Sequence, residues 1–145
     1  MADRYLVVFD CVTFLQSLIS EAGPAVRCLE LFQQGTFSVA VSGEILSEIK
    51  EVLSRSTLRD RYPLLTDESV ERLFALLRYK GNFFRKPKRH YKYLRDPGDE
   101  PYLNLCIEAQ ADFLVTRDKL LKNLVSSKKP QVVTPEELVT YLQAS

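Results

Sequence analysis

Residues 5–9, Tyr-Leu-Val-Val-Phe, form a continuous apolar run that constrains the fold more than any other stretch of the chain. The run is rich in β-formers, and a strand without polar alternation is typical of one buried on both faces of a parallel sheet. Similar strands are predicted at residues 37–41, 111–116 and 131–133, and helical stretches separate them. Because parallel strands need such crossovers, the sequence predicts an α/β fold with a mainly parallel sheet.

Capping residues mark several helix boundaries. Pro24 suits the first position of a helix that ends before Gly35, and Ser42 is a good N-cap for an amphipathic helix over residues 45–53. A further amphipathic helix is predicted over residues 67–79. Residues 134–137, Thr-Pro-Glu-Glu, form a capping box that opens a last helix.

The length and composition indicate one globular domain over residues 1–145. The net charge is +1, so attraction for a polyanion has to come from a local patch. Three cysteines without a CxxC pair are typical of reduced thiols, which suggests a cytoplasmic protein. The first apolar run is too short for the core of a signal peptide or a membrane helix.

Acidic residues recur where predicted strands end or the adjoining helices begin. Open α/β sheets bind ligands outside the carboxyl ends of their strands, so these acids are the candidate site residues. They are Asp10 after the first strand, Glu44, Glu48 and Glu51 in the helix after the second, Asp96 and Asp99 before the helix that leads to the third, and Asp118 after the third.

Helical geometry ranks these acids. At about 100° per residue, Glu48 lies at the edge of the apolar stripe of residues 45–53, whereas Glu44 and Glu51 point further away. Asp99 lies on the line of the buried face of its own helix. Glu48 and Asp99 are therefore the acids of their helices that we expect to face a cleft.

Each acid also has an ordinary structural explanation. Asp10 fits a turn after a strand, Asp96, Asp99 and Asp118 fit helix caps, and Glu48 fits a solvated helix surface. A convergence of all of them is harder to explain without a ligand, because like charges repel and need a counter-charge. All-oxygen ligands suit Mg²⁺ or Mn²⁺ rather than zinc.

A basic segment at residues 80–95 contains seven Lys and Arg residues and no acid. Aromatic residues interleave with them, a combination that suits a single nucleic-acid strand, with charges along the phosphates and rings under the bases. The alternative is a solvated loop whose aromatics pack on the core. The lone His90 fits a structural role. The proposed RNA contacts are Arg85, Lys86, Lys88, Arg89, Lys92 and Arg95.

Five motifs in order resemble the PIN-domain family, and within it the VapC-type ribonuclease toxins of prokaryotic toxin–antitoxin systems. The resemblance covers nearly the whole chain. The motifs are Val-Val-Phe-Asp at 7–10, Ser-Gly-Glu-Ile-Leu-Ser-Glu at 42–48, Arg-Asp-Pro-Gly-Asp at 95–99, Ala-Asp-Phe-Leu-Val-Thr-Arg-Asp at 111–118 and Val-Thr-Pro-Glu-Glu-Leu at 133–138.

The resemblance implies a three-layer α/β/α fold with four to five strands. It also implies a cytoplasmic, homodimeric endoribonuclease with an RNA substrate and an antitoxin protein partner. One or two Mg²⁺ or Mn²⁺ ions would be held by carboxylates, with Ser42 and Thr116 hydrogen-bonding to the ligands or their waters. The implied catalytic acids and metal ligands are Asp10, Glu48, Asp99 and Asp118, with Asp96 beside them.

The chain departs from the family pattern at three places. Cys11 and Val12 follow the first acid, where the family usually has Thr and Asn. Arg117 replaces a glycine, and Leu120 stands where an acid often follows. These changes leave room for a second interpretation, a catalytically weak scaffold that binds RNA or a partner protein.

Other function classes find less support. Motifs for nucleotide cradles and serine hydrolases, such as GxxxxGK[ST] and GxSxG, are absent from the sequence. A receiver-like phosphoacceptor domain also gathers aspartates at strand ends, but it needs an acid pair beside the first strand, where this chain has Asp10 alone.

Overall fold

A computed structural model of the chain describes residues 4–89, 97–118, 120–125 and 128–144. In this part of the chain, five parallel strands form one sheet in the order β3-β2-β1-β4-β5, and helices flank it in a three-layer α/β/α arrangement. The strands are β1 Leu6–Phe9, β2 Ser38–Ser42, β3 Asn82–Phe84, β4 Phe113–Val115 and β5 Gln131–Val133.

The crossovers between these strands are helical, as a parallel sheet requires. A single 3₁₀ turn, Pro97–Asp99, leads into α6. The helices are α1 Cys11–Ile19, α2 Pro24–Gln33, α3 Gly43–Leu53, α4 Ser56–Arg61, α5 Asp67–Lys80, α6 Glu100–Ala109, α7 Leu120–Leu124 and α8 Pro135–Ala144.

The first strand lies at the centre of the sheet and of the core. Val7, Val8 and Phe9 are fully or almost fully buried, which agrees with the apolar run that carries them. Strand β1 pairs with β2 on one side and with β4 on the other, with Phe9 opposite Val115. The strand order reverses at β1, so the carboxyl end of β1 is a switch point of the kind where α/β proteins bind ligands.

The predicted helix caps are confirmed at three positions. The Ser42 hydroxyl accepts a hydrogen bond from the backbone of Ile45, and Pro24 is the first residue of α2. Thr134 and Glu137 each accept a bond from the other's backbone N–H, which completes the capping box before α8. Local side-chain chemistry was therefore sufficient to predict where these helices begin.

The structure adds a strand inside the basic segment. Residues 82–84 form β3, which pairs with β2 and places Phe84 opposite Ser42. Phe83 is 60% exposed, whereas Phe84 packs against the core. Three residues are too few for a periodic pattern, so only the pairing with β2 identifies this edge strand.

Helices α4 and α7 were also absent from the sequence prediction. Both are shorter than two turns, and so short a stretch has no amphipathic stripe to recognise. In the described ranges, no helix combines the length and the apolar character needed to cross a membrane.

Candidate active site

Asp10 occupies the carboxyl end of β1 and caps the helix that follows. Its Oδ1 accepts hydrogen bonds from the backbone N–H of Thr13 at 2.8 Å and from the Thr13 hydroxyl at 2.6 Å. Its own N–H donates to the Val115 carbonyl at 3.2 Å, which ties the residue to β4. Asp10 is thus an N-cap, but its second oxygen faces away from this cap toward another partner.

That partner is Thr116, the residue that follows β4. The Thr116 hydroxyl donates to Oδ2 of Asp10 at 2.6 Å, and it accepts the backbone N–H of Asp118 at 3.1 Å. Thr116 is 2% exposed, so these groups satisfy a buried hydroxyl. The buried Thr116 hydroxyl therefore connects the ends of β1 and β4. Its two hydrogen bonds involve two of the predicted acids, Asp10 and Asp118.

Asp118 is half-buried and also caps a helix. Its Oδ1 accepts the backbone N–H of Leu120 at 3.0 Å, at the start of α7. The capping role considered from the sequence is therefore present. This cap uses Oδ1 of Asp118 and not Oδ2. The hydrogen bond from the Asp118 backbone to the Thr116 hydroxyl, which also contacts Asp10, keeps the two acids close together.

Glu48, which the sequence analysis expected to face a cleft, points toward α6. Its Oε1 accepts a hydrogen bond of 2.7 Å from the hydroxyl of Tyr102, which is 3% exposed. Burial and this bond to Glu48 raise the pKa of the Tyr102 hydroxyl above its ordinary value. Glu48 is therefore not a fully solvated helix acid.

The half-buried thiol of Cys11 lies near two of the acids. Burial, together with the charges of Glu48 and Asp10, raises the pKa of Cys11 to about 11. The same two charges also act on Tyr102. Asp10 and Glu48, which are far apart in the sequence, thus share one electrostatic environment.

Asp99 and Glu100 stand at the start of α6. The Asp99 side chain is half-buried and makes no capping hydrogen bond to this helix. Glu100 is only 6% exposed, and its Oε1 accepts bonds from both Nε and Nη2 of Arg89 at 3.0 and 2.9 Å. A buried carboxylate next to a predicted acid is therefore neutralised by an arginine of the basic segment.

The structure places the predicted residues at several points of this region. Asp10, Thr116 and Asp118 are linked at the carboxyl ends of β1 and β4, Glu48 bonds to Tyr102, Asp99 lies at the start of α6, and Ser42 is the N-cap of α3. Arg85, Lys86 and Lys88 are exposed, as a binding segment requires, while Arg89 contacts Glu100. Asp96, His90, Lys92 and Arg95 lie outside the described residues.

Within the described ranges, no group of three or more His, Cys, Asp or Glu side chains is arranged to hold a metal ion. Mg²⁺ needs fewer protein ligands, because one or two carboxylates often suffice beside waters and substrate phosphates. Asp10 accepts hydrogen bonds from the Thr13 N–H and from the hydroxyls of Thr13 and Thr116 on two oxygens that offer about four lone-pair positions, so it retains room for a cation. The oxygen donors of Asp10 and Glu48 fit a hard divalent ion.

Two clefts flank the end of β1 along the carboxyl edge of the sheet. The first, of about 320 Å³, lies beyond β2 and β3. The second, of about 800 Å³, lies beyond β4 and β5. Asp10 therefore stands between two concave surfaces. The first is lined by Ser42, Glu44, Pro87, Arg89, Pro97, Glu100, Pro101 and Asn104, and the second includes Thr116, Arg117, Asp118, Lys122 and Glu136.

Sequence reasoning missed Thr13, Tyr102 and Glu100. Thr13 had a usable signal, since a residue three positions after a capping Asp lies where its N–H can reach the cap. Glu100 had none, because no sequence motif connects it with its partner Arg89. Tyr102 follows Asp99 by three residues and so shares its helix face, but only the fold brings it to Glu48.

Comparisons with known proteins give a family and a fold. The family model described as PIN domain matches residues 6–120 of the chain. The crystal structure of VapBC2 from Rickettsia felis bound to a DNA fragment from their promoter aligns with a TM-score of 0.58 at 13% identity. The alignment covers 88% of this chain and 96% of that one. No curated protein matches the chain.

Proposed function

Because the chain belongs to the PIN-domain family, we propose that it is a metal-dependent endoribonuclease that hydrolyses RNA phosphodiester bonds. Proteins of this family are generally nucleases. The observation that carries the proposal is the environment of Asp10, which Thr13 and Thr116 hold at the switch point of the sheet beside Glu48. Such a site suits chemistry on a phosphate ester, because oxygen donors at that point suit Mg²⁺ or Mn²⁺.

The proposed ligands of the ion are Asp10 and Glu48, with Asp99, Asp118 and Asp96 as further members of the acid set. The chemistry that a divalent ion supplies when bound is a lowered pKa of its water and neutralisation of charge on the phosphate. Neighbouring residues of the protein hold these carboxylates in position. Thr13 and Thr116 keep both oxygens of Asp10 in place, and the backbone of Asp118 holds the Thr116 hydroxyl.

The two clefts support an extended substrate. A single RNA strand that crosses the carboxyl edge would run from the first cleft over Asp10 to the second. It would pass over several strand ends on the way, which lie about 4.8 Å apart in a sheet. The exposed Arg85, Lys86 and Lys88 provide positive charge on the side of the first cleft. In this proposal Lys92 and Arg95 extend the same phosphate contacts, and Arg89 mainly anchors the segment through Glu100.

We further propose that the protein acts in the cytoplasm as the toxin of a toxin–antitoxin pair. The fold neighbour from Rickettsia felis is titled VapBC2 and was crystallised with promoter DNA. By analogy, an antitoxin protein would bind this chain, and the active form would be a homodimer. A small gene next to that of this protein would be the expected source of the antitoxin.

Cleavage of a mixed RNA panel tests the function. We expect the purified protein to cut RNA with Mg²⁺ or Mn²⁺ but not with EDTA, and we expect Asp10→Asn to abolish cutting while the fold is retained. The matched control is Asp60→Asn, which makes the same change at an exposed acid on α4 and should cut like the wild type. Full activity of Asp10→Asn would contradict the assignment of the site.

The catalytically weak scaffold is the second candidate. Val12 supports it, because this residue is 50% exposed in the first turn of α1, where the family usually has an asparagine. A valine cannot hydrogen-bond to a water or a ligand at that place. Binding of RNA without cleavage under any metal, with cleavage appearing in Val12→Asn, would favour this candidate over the nuclease.

A further inference from the structure

The hydroxyl of Tyr102 is a polar group buried at the acid site. Its aromatic ring belongs to the core, yet its oxygen lies 2.7 Å from Oε1 of Glu48, a residue 54 positions earlier in the chain. The contact joins α6 to α3. It connects α3, which carries Glu48, with α6, whose N-cap is Asp99.

Filling the core does not require this hydroxyl. A phenylalanine would occupy nearly the same space, and a buried tyrosine hydroxyl has to find an acceptor or lose free energy. Here the acceptor is a half-buried carboxylate rather than a backbone carbonyl. The hydroxyl therefore acts on the orientation of Glu48 in addition to occupying space.

Glu48 needs such a constraint. A glutamate has three rotatable side-chain bonds, and α3, which carries Glu48, packs against α1, the helix that Asp10 caps. Without a partner, the half-buried Glu48 carboxylate could rotate toward solvent, where water would solvate its charge. A charge-assisted bond to one oxygen opposes this rotation and leaves lone pairs of the carboxylate available for a cation.

We propose that Tyr102 is a positioning residue that acts through Glu48: its hydroxyl holds the Glu48 carboxylate beside Asp10, so that both carboxylates can ligate one divalent cation. The inference rests on the proposed function, because it assumes a cation at the acid site. It assigns to Tyr102 a role for which the sequence motifs gave no indication. Hydrogen bonds that orient metal ligands typically change metal affinity by about 10- to 100-fold.

The test measures binding of Mn²⁺ alone by titration calorimetry, without RNA. We expect Tyr102→Phe to bind Mn²⁺ about 10- to 100-fold more weakly than the wild type. Cleavage should need correspondingly more Mn²⁺ for half-maximal rate, whereas the rate at saturating Mn²⁺ should change much less. Tyr141→Phe is the matched control, because it also loses a hydroxyl bond, to Tyr5, at a position outside the acid site.

A double-mutant cycle separates positioning from general stability. If Tyr102 acts through Glu48, then adding Tyr102→Phe to a Glu48→Gln protein should cause no further loss of Mn²⁺ affinity. An equal loss in both backgrounds would overturn the proposal, as would a Tyr102→Phe protein that binds Mn²⁺ like the wild type. Thermal unfolding in EDTA checks that each variant is folded.

The cycle also keeps this inference separate from the function on which it rests. Binding of Mn²⁺ by the wild type with no effect of Tyr102→Phe would overturn the role of Tyr102 and leave the nuclease proposal intact. A wild type that neither binds Mn²⁺ nor cleaves RNA would overturn the nuclease proposal, and the role of Tyr102 with it.

Discussion

Thr116 is the residue on which the arrangement of the acids depends most directly. Its hydroxyl is a donor to Asp10 and an acceptor for the backbone of Asp118. A single buried oxygen thus serves two acids, since it donates to Oδ2 of Asp10 and accepts the backbone N–H of Asp118. Loss of this oxygen should therefore affect the site more than the fold.

We expect Thr116→Val, which has nearly the same shape, to reduce metal-dependent cleavage about 10- to 100-fold. It should also lower the free energy of unfolding by about 1–3 kcal/mol, because the N–H of Asp118 loses its buried acceptor. Cleavage assays and urea unfolding measure the two effects. Thr116→Ser keeps the hydroxyl and should retain most of the activity, and a fully active Thr116→Val would contradict the role.

At the residue scale, the sequence offered candidate acids but few of their hydrogen-bond partners. Asp10 was a candidate because a strand ended on it, and Glu48 because its angle on the helix set it apart from Glu44 and Glu51. Tyr102 and Glu100 could not be found. Their importance comes from burial against residues distant in the sequence, which no local pattern records.

Arg117 connects three elements at the end of β4. Its guanidinium donates to both carboxylate oxygens of Glu136 in the first turn of α8, and its Nε donates to Gln16 on α1 at 2.8 Å. The hydrogen bonds from Arg117 hold the pKa of the Glu136 carboxyl below its ordinary value. Arg117, which stands where the family usually has a glycine, thus connects α8 and α1 to the loop that carries Thr116.

The lowered pKa predicts a pH dependence of stability. Because the ionised Glu136 is favoured in the folded state, its contribution is fully present above the ordinary glutamate pKa and is lost as the pH falls through the lowered one. Glu136→Gln should therefore cost at most about 1 kcal/mol near neutral pH, since both side chains are well exposed to solvent.

Urea unfolding of the wild type and Glu136→Gln at a series of pH values measures this difference. It should be largest near neutral pH and should vanish in acid. Glu71→Gln, at an exposed position on α5, serves as the control and should change stability little at any pH. A difference that grew on acidification would have the wrong sign and would rule out the explanation.

The elements that sequence reasoning located were those with a strong local signal. The apolar run of β1 and the capping box of α8 each contain their own evidence within a few residues. Strand β3 was missed because it is three residues long, lies in a basic segment and exists as a strand only through its pairing with β2. Residues 82–84 can therefore be recognised as a strand from their pairing in the sheet but not from their own sequence.

For the whole molecule, the charge balance bears on how RNA would be held. The net charge is only +1, so binding should depend on the exposed Arg85, Lys86 and Lys88 and not on a general attraction. For single strands, each phosphate that is neutralised contributes about −0.7 to the slope of log affinity against log salt.

Replacing Arg85, Lys86 and Lys88 with alanine together should therefore reduce this slope by roughly 2 if each contacts one phosphate. The measurement is RNA binding across a range of salt concentrations in the Asp10→Asn background with EDTA, where no cleavage is expected. A double Ala variant of the exposed Arg72 and Arg78 on α5 is the control. An unchanged slope in the triple variant would place the RNA elsewhere.

The order of the strands has a consequence for when the acid site can form during synthesis. Strand β1 emerges first during synthesis but pairs with β4, and Asp10 contacts Thr116, 106 residues later in the chain, only after that pairing. Every N-terminal fragment that lacks β4 and Thr116 therefore contains Asp10 without its hydrogen bond from Thr116. In such a fragment the edge of β1 that pairs with β4 has no partner strand. In the proposed nuclease, the acid site would therefore form only after β4 has left the ribosome, which would leave time for the proposed antitoxin to be made.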